Sequence, residues 1–341
     1  MLNKLSKQTR LRWPQPIGSP VLDSLKPVIE NSHHVQTDLT RIVEHAGWMA
    51  YEELPIPDFH LPFGIGRDVD EAIDFGMVST CINFAFTDFS THEIFQVEFA
   101  GGHWSDSDAM FACIKRALDE GIPFLEGKYL SEITLPDLRQ VFRGNIEMPM
   151  LRERVEILRS VGETLVKHYD GHFYNFIRSA SPRLYDQGNG LIDKLVKEFP
   201  RFSDLSRFNG HEIKFYKLAQ LGIWVIYRAL HRAGGMHLED PQKMTAFADY
   251  IVPVALRVMG ILQYRPALEK AIKSFEIIPR DSPQEMEIRA HSLYATALLC
   301  EEVNKLRPAE KQVIIPQIDA RLWTHYHTTH WPHHLTRTIM Y

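Results

Sequence analysis

From about residue 107 onward, apolar side chains recur at three- and four-residue intervals between polar ones, the spacing of one face of an α-helix. "SDSDAMFACIKRALDEGIPF" opens with acids and closes on Gly121 and Pro123, a cap-and-stop signature. "LPDLRQVFRG" predicts a second helix. "MLRERVEILRSVGETLVKHY" predicts a third, with Leu151, Val155, Leu158 and Leu165 on its apolar stripe. "GLIDKLVKEFP" is short and stopped by Pro200. "EIKFYKLAQLGIWVIYRALHRAGG" is apolar nearly all round, so it belongs at the centre of the fold, and Gly234 and Gly235 end it. Asp240-Pro241 then opens a helix expected over 241–261, and two more follow around 284–305 and 314–328.

Upstream the pattern changes. "ELPIPDFHLPFGIGRD" reads as loop, and "CINFAFTDF" and "EIFQVEFAGGHW" alternate with period two, as in a β-hairpin or small meander. No glycine-rich, serine-rich or charge-biased linker divides the series. The pattern therefore predicts a mainly α protein: one helical domain over 1–341, a small β element in its N-terminal third, and an N-terminal extension over 1–30.

Composition narrows the function classes. The 341 residues are 45% hydrophobic and 24% charged, enough for a large core without staples. A net charge of −5, with 17 histidines counted neutral, gives no electrostatic case for a nucleic-acid polymer, although a small anionic ligand needs only a few local cations. Three scattered cysteines, Cys81, Cys113 and Cys300, argue against a disulfide framework and favour a reducing, cytoplasmic setting. "MLNKLSKQTRLRWPQP" is basic but lacks the apolar segment of a secretory signal, and Pro14 and Pro16 interrupt a transit-peptide helix. No uncharged apolar run reaches 18 residues, so no membrane span is expected.

One polar residue stands out in this frame. Asp249 interrupts "TAFADYIVPVALRVMGILQY", and a buried carboxylate needs a partner. On a helix over 241–261 it shares a small-sided face with Thr245, Ala246 and Pro253, and Pro253 removes the donor for its carbonyl, so a kink and a notch are expected. Lys217 interrupts the central apolar helix in the same way and is the natural counter-ion. Such a pair serves either as a structural ion pair or as machinery for breaking a glycosidic bond, with the carboxylate facing the cation that forms on the sugar carbon. The residues alone leave both open.

The blocks "NFAF", "KRALDEGIPF", "LRQVFRGNIEMPMLRERVEILR", "KFYKLAQL", "FADYIVP", "EMEIRAHS" and the terminal "RTIMY" occur in this order. Together they resemble the queuosine salvage family, the queuosine 5′-phosphate N-glycosylase/hydrolases, from about residue 60 to the end. The resemblance implies a helical architecture likened to helix-rich DNA glycosylases. It also implies release of the base queuine from queuosine 5′-monophosphate, for salvage in tRNA modification. It puts the catalytic carboxylate on Asp249, with Lys217 as its partner and Phe247, Ala248 and Tyr250 around it. His60 falls at the family's upstream histidine and Asp319 at its base-recognising acid.

Three positions depart from the family pattern. Ala320 stands where a tyrosine is expected, Thr324 where a second acid is expected, and Thr87 where tryptophan is common. Those departures bear on which base is bound, and they motivate two alternatives: a homologue that binds nucleotide without cleaving it, and a glycosylase for another nucleotide. His60, Arg289 and Arg337 are the candidates for the 5′-phosphate. Arg289 has a structural alternative, tying helices together through Glu287 or a C-terminal carbonyl.

"WTHYHTTHWPHH" carries His325, His327, His330, His333 and His334, but its spacing is not HExxH and no cysteine is near. It reads as a polar helix end with one or two histidines lining the pocket. The expected enzyme is a metal-independent hydrolase without cofactor, acting on a small nucleoside 5′-monophosphate. It needs no nucleic-acid polymer, membrane or obligate protein partner.

Overall fold

The cleft that carries the chemistry is built where short irregular segments are trapped between long helices. In the computed structural model, residues 11–341 are described, and reading of the extreme N-terminus as lacking a targeting helix falls partly outside them. Among the described residues there are fifteen α-helices and three two-stranded antiparallel sheets around one contiguous apolar core. The mainly α, single-domain reading holds. Among the described residues no helix is long and apolar enough to cross a membrane.

Most periodic segments become the helices they predict: Asp106–Asp119, Leu135–Val141, Leu151–His168, Leu191–Glu198, Pro283–Lys305 and Ile315–Tyr326. The last two differ from expectation only by a few end residues. Pro283–Lys305 is buried along most of its length, and it packs beneath the segments that line the cleft. Residues 11–30, expected as an extension, are folded onto the body: Val21, Leu25 and Val28 are fully buried, and Arg12 pairs with Glu301 and Glu302.

The β structure is more dispersed than expected. Gln96–Phe99 and Gly102–Ser105 form the predicted hairpin, and "CINFAFTDF" contributes only the Thr87–Ile94 bridge, because its first residues complete the helix Val69–Cys81. A second hairpin, Leu205–Phe208 with His211–Lys214, occupies the start of the expected central helix. Its turn, Asn209-Gly210, has positive φ at both positions (49° and 83°), the two-residue geometry that Asn-Gly supplies at least cost. The central helix therefore begins only at Lys217 and runs to Leu230.

The larger correction concerns 241–261. Instead of one kinked helix, there is a 3₁₀ turn at Pro241–Lys243, an irregular stretch through Tyr250, and a short helix at Val252–Val258. Pro253 lies in the first turn of that helix, where its missing N–H costs nothing, so it starts a helix rather than bending one. An irregular buried backbone must find its hydrogen bonds elsewhere. Gln220 Oε1 accepts from Thr245 N (2.8 Å), Asp319 Oδ2 accepts from Phe247 N (2.9 Å), and Arg289 Nε donates to Ala248 O (3.2 Å).

Arg289 ties this segment to the start of the central helix. It is almost wholly buried, donates to both carboxylate oxygens of Asp204 (3.1 and 2.5 Å), lies 3.6 Å from Glu285, and sits over the rings of Phe215 and Tyr341. The Asp204 carbonyl in turn accepts from Phe215 N (3.0 Å), two residues before Lys217. Replacing Arg289 by Met leaves two buried carboxylates without their cation, and loss of one partner of such a pair costs about 3–5 kcal/mol. Urea denaturation of Arg289→Met should show a loss of that size, whereas a midpoint unchanged from wild type would mean the clamp carries no net stability.

Candidate active site

A cleft of about 310 Å³ opens between the loop carrying His60, the start of the Asp106–Asp119 helix, the central helix, the Phe247–Ile251 segment and the Ile315–Tyr326 helix. Its walls are aromatic, with Phe84, Phe111, Trp224, Phe247 and Trp323 among them, and its polar groups are concentrated on a few positions. That combination suits a flat heterocycle with a polar appendage. The floor is held by buried guanidiniums. Arg154 donates to the carbonyls of Ile82, Phe84 and Ala85, and Arg201 donates to Cys81 O (2.5 Å). Both also sit over the Phe84 ring, so the "NFAF" segment is fixed although it has no regular structure.

Asp249 lies at the C-terminal edge of the irregular segment. Its Oδ1 accepts from Ile251 N and Val252 N, both at 2.9 Å, which is how a short acidic side chain ends a loop and launches a helix. Lys217 occupies the first position of the central helix, after Tyr216 in the left-handed region at φ 49°. Lys217, Asp249 and Asp319 are all buried and all line the cleft.

Their electrostatics are mutual. Burial drives Lys217 down to about 8, with the Asp249 carboxylate pulling the other way and Arg201 and Arg289 adding to the depression. Burial raises Asp249, opposed by Lys217 and by the two backbone N–H groups. Asp319 is pushed well above the carboxylate range, first by burial and then by the Asp249 charge. At neutral pH the Lys217 charge favours an ionised Asp249 beside a protonated Asp319, although the two side chains form no direct salt bridge.

The structure brings most of the expected site residues together. His60, Lys217, Phe247, Asp249, Tyr250, Asp319, Ala320 and Thr324 line one cleft. Ala248 is buried behind it and contributes its carbonyl to Arg289. Arg289 and Arg337 do not line it. Arg289 is consumed by Asp204 and Glu285, and Arg337 is an exposed side chain paired with Glu153 at 2.9 Å. Glu287, the partner expected for Arg289, instead accepts from the backbone N–H groups of His33, His34 and Val35. Thr87 is also outside the cleft, in its bridge with Ile94.

Of the histidine cluster, His327 lines the cleft, stacked on Trp323 at 4.4 Å with planes 2° apart. His333 packs on Tyr250 at 4.6 Å, and His334 is buried beside Tyr341. Among the described residues, no three His, Cys, Asp or Glu side chains gather as a metal site would require.

Sequence reasoning missed Asp106, Asp108, Arg228 and Tyr341, all of which line the cleft. The acids of "SDSD" read as helix-start residues, which they also are, and nothing local reports that this helix start faces a cavity. Arg228 braces the His60 loop by donating to Pro57 O (2.8 Å) and Asp58 O (3.0 Å).

Residues 65–341 match the family model described as queuosine salvage protein. The chain is similar to a protein of Sphaerobacter thermophilus named queuosine 5′-phosphate N-glycosylase/hydrolase, at 32% identity, with 94% of this chain and 97% of that one covered. Proteins of the same name from Bos taurus (30% identical, 82% and 79% covered) and Mus musculus (28% identical, 94% and 98% covered) are similar as well. With the match running through every segment that lines the cleft from the central helix onward, the chain belongs to the queuosine salvage protein family.

Proposed function

We propose that the protein hydrolyses the N-glycosidic bond of queuosine 5′-monophosphate and releases queuine. The observation that carries this reading is Asp249: a buried carboxylate held at the cleft by two backbone N–H groups, with the charge of the buried Lys217 favouring its ionised form. Queuine is a 7-deazaguanine, so it lacks the N7 whose protonation helps a purine leave. The enzyme must then work on the sugar, and an ionised carboxylate facing the anomeric carbon stabilises or traps the cation that forms there. Lys217 keeps Asp249 charged and in place. Asp319, neutral in the free site, has its Oδ2 occupied by Phe247 N and its other oxygen available to hydrogen-bond the departing base.

Phe247, Tyr250 and Trp323 supply flat apolar surface for the base. With Arg289 and Arg337 committed elsewhere, the phosphate falls to hydrogen-bond donors on the cleft wall, His60 foremost and Arg228 and His327 beside it. Ala320 and Thr324 present a small methyl and a hydroxyl on the base side, which leaves room there. Three buried, unpaired cysteines fit a reducing, cytoplasmic setting.

Incubation with queuosine 5′-monophosphate should yield free queuine, detected by mass spectrometry, and Asp249→Asn should bind the nucleotide with the same circular dichroism but release no base. Binding without release by the wild-type protein would make it a binder instead. The lysine sets a second expectation. Above about pH 8 Lys217 loses its proton and Asp249 its counter-ion, so turnover should fall as pH rises through that value. In Lys217→Arg, whose guanidinium stays charged, the alkaline limb should move beyond pH ~10. A limb that stays put would assign it to another group.

A further inference from the structure

Asp106 is a cleft-lining carboxylate that neither the Lys217–Asp249 couple nor base recognition uses. It opens the Asp106–Asp119 helix, immediately after the hairpin strand Gly102–Ser105, and its φ is 59°. A non-glycine residue in the left-handed region is disfavoured and persists only where its surroundings impose it. Here the Asp106 N–H donates to Phe95 O (3.0 Å), which pins the turn to the neighbouring chain segment. The side chain is half-buried, and among the described residues its only hydrogen-bond partner is the N–H of Ser107, received on Oδ1 at 2.8 Å. Among those residues no lysine or arginine forms a salt bridge with it, and Oδ2 accepts no hydrogen bond.

The groups that act on it are Asp108 from its own helix, Lys217 from the central helix, and Asp249 and Tyr250 from the irregular segment. Two carboxylates in one cleft thus stand in different environments. Asp249 has one oxygen clamped by two N–H groups and its ionised form favoured by the Lys217 charge, so as an anion it is a poor base. Asp106 receives one N–H, and burial together with the charges of Asp108 and Asp249, opposed by Lys217, moves it up to about 6. A group poised just below neutrality and free on one oxygen is suited to accept a proton at working pH, the division of labour seen when two acids of one site are pushed apart.

We propose that Asp106 is the general base of the cleft: its free oxygen takes a proton from the water that attacks the anomeric carbon. The water oxygen bonds to that carbon, and the C–N bond breaks with its electron pair leaving on the base. The base takes up one proton, and the proton held by Asp106 returns to solvent, so the net change is addition of one water across the bond. This assignment rests on the N-glycosidase reading above and adds to it the residue that activates water.

The test compares the full-length wild type with Asp106→Asn and Asp106→Gly on queuosine 5′-monophosphate, following free queuine. Both replacements tolerate positive φ, so thermal unfolding should show that the fold is kept. For Asp106→Asn, kcat should fall by about 10²–10⁴-fold with KM little changed, the range for removal of a general base. The rise of wild-type turnover through pH ~6 should disappear in both variants. Sodium formate, small enough for the space left in Asp106→Gly, should restore turnover there and leave the wild type unaffected. A wild type that releases no base would overturn the N-glycosidase reading itself. An active wild type whose variants keep kcat, keep the limb near pH 6, lose only KM, or gain nothing from formate would overturn the role of Asp106 alone.

Discussion

The buried pair of Arg289 and Asp204 is the interaction on which the cleft depends. Lys217 and Asp249 sit on segments 32 residues apart, one opening a helix after a hairpin and the other closing a loop. The Asp249 segment is irregular, and Lys217 stands at the very start of its helix. Asp204 accepts from the backbone leading into Lys217, Arg289 donates to the carbonyl beside Asp249, and the ion pair joins the two. A buried ion pair adds little net stability over an apolar substitute; its gain here is register between two cleft-lining side chains.

Polar residues elsewhere in the core follow the same logic. Gln220, Asp319, Arg154 and Arg201 lie among apolar neighbours, yet each binds backbone of a segment that cannot satisfy itself. The carboxylates of the cleft then share one ammonium. Asp106, Asp249 and Asp319 are all pushed up by burial and pulled down by Lys217, but Asp249 receives two backbone N–H groups where the others receive one, and its own charge pushes the other two further up.

The helices were legible because a long amphipathic stripe has one reading. Asp106–Asp119, Leu151–His168 and Pro283–Lys305 follow their periodicity and caps. The run over 245–264 was misread because continuous apolar sequence marks burial without choosing a backbone, and the acceptors that satisfy an irregular path lie 25 to 72 residues away. Strands of three or four residues are too short to show alternation. The Asn209-Gly210 turn was a local signal for the second hairpin that the apolar run around it obscured.

Sequence alone determined the family, the helical class and the two residues most out of place, Asp249 and Lys217, because a charge inside an apolar run is visible without coordinates. Only tertiary structure decided which other polar residues join them. It drew Asp106 and Asp108 into the cleft, gave Arg289 to Asp204, and left Arg337 at the surface with Glu153. The reason is physical: burial and charge proximity are set by segments remote in the chain, and they alone determine whether a carboxyl is a surface acid, a structural partner or a reactive group.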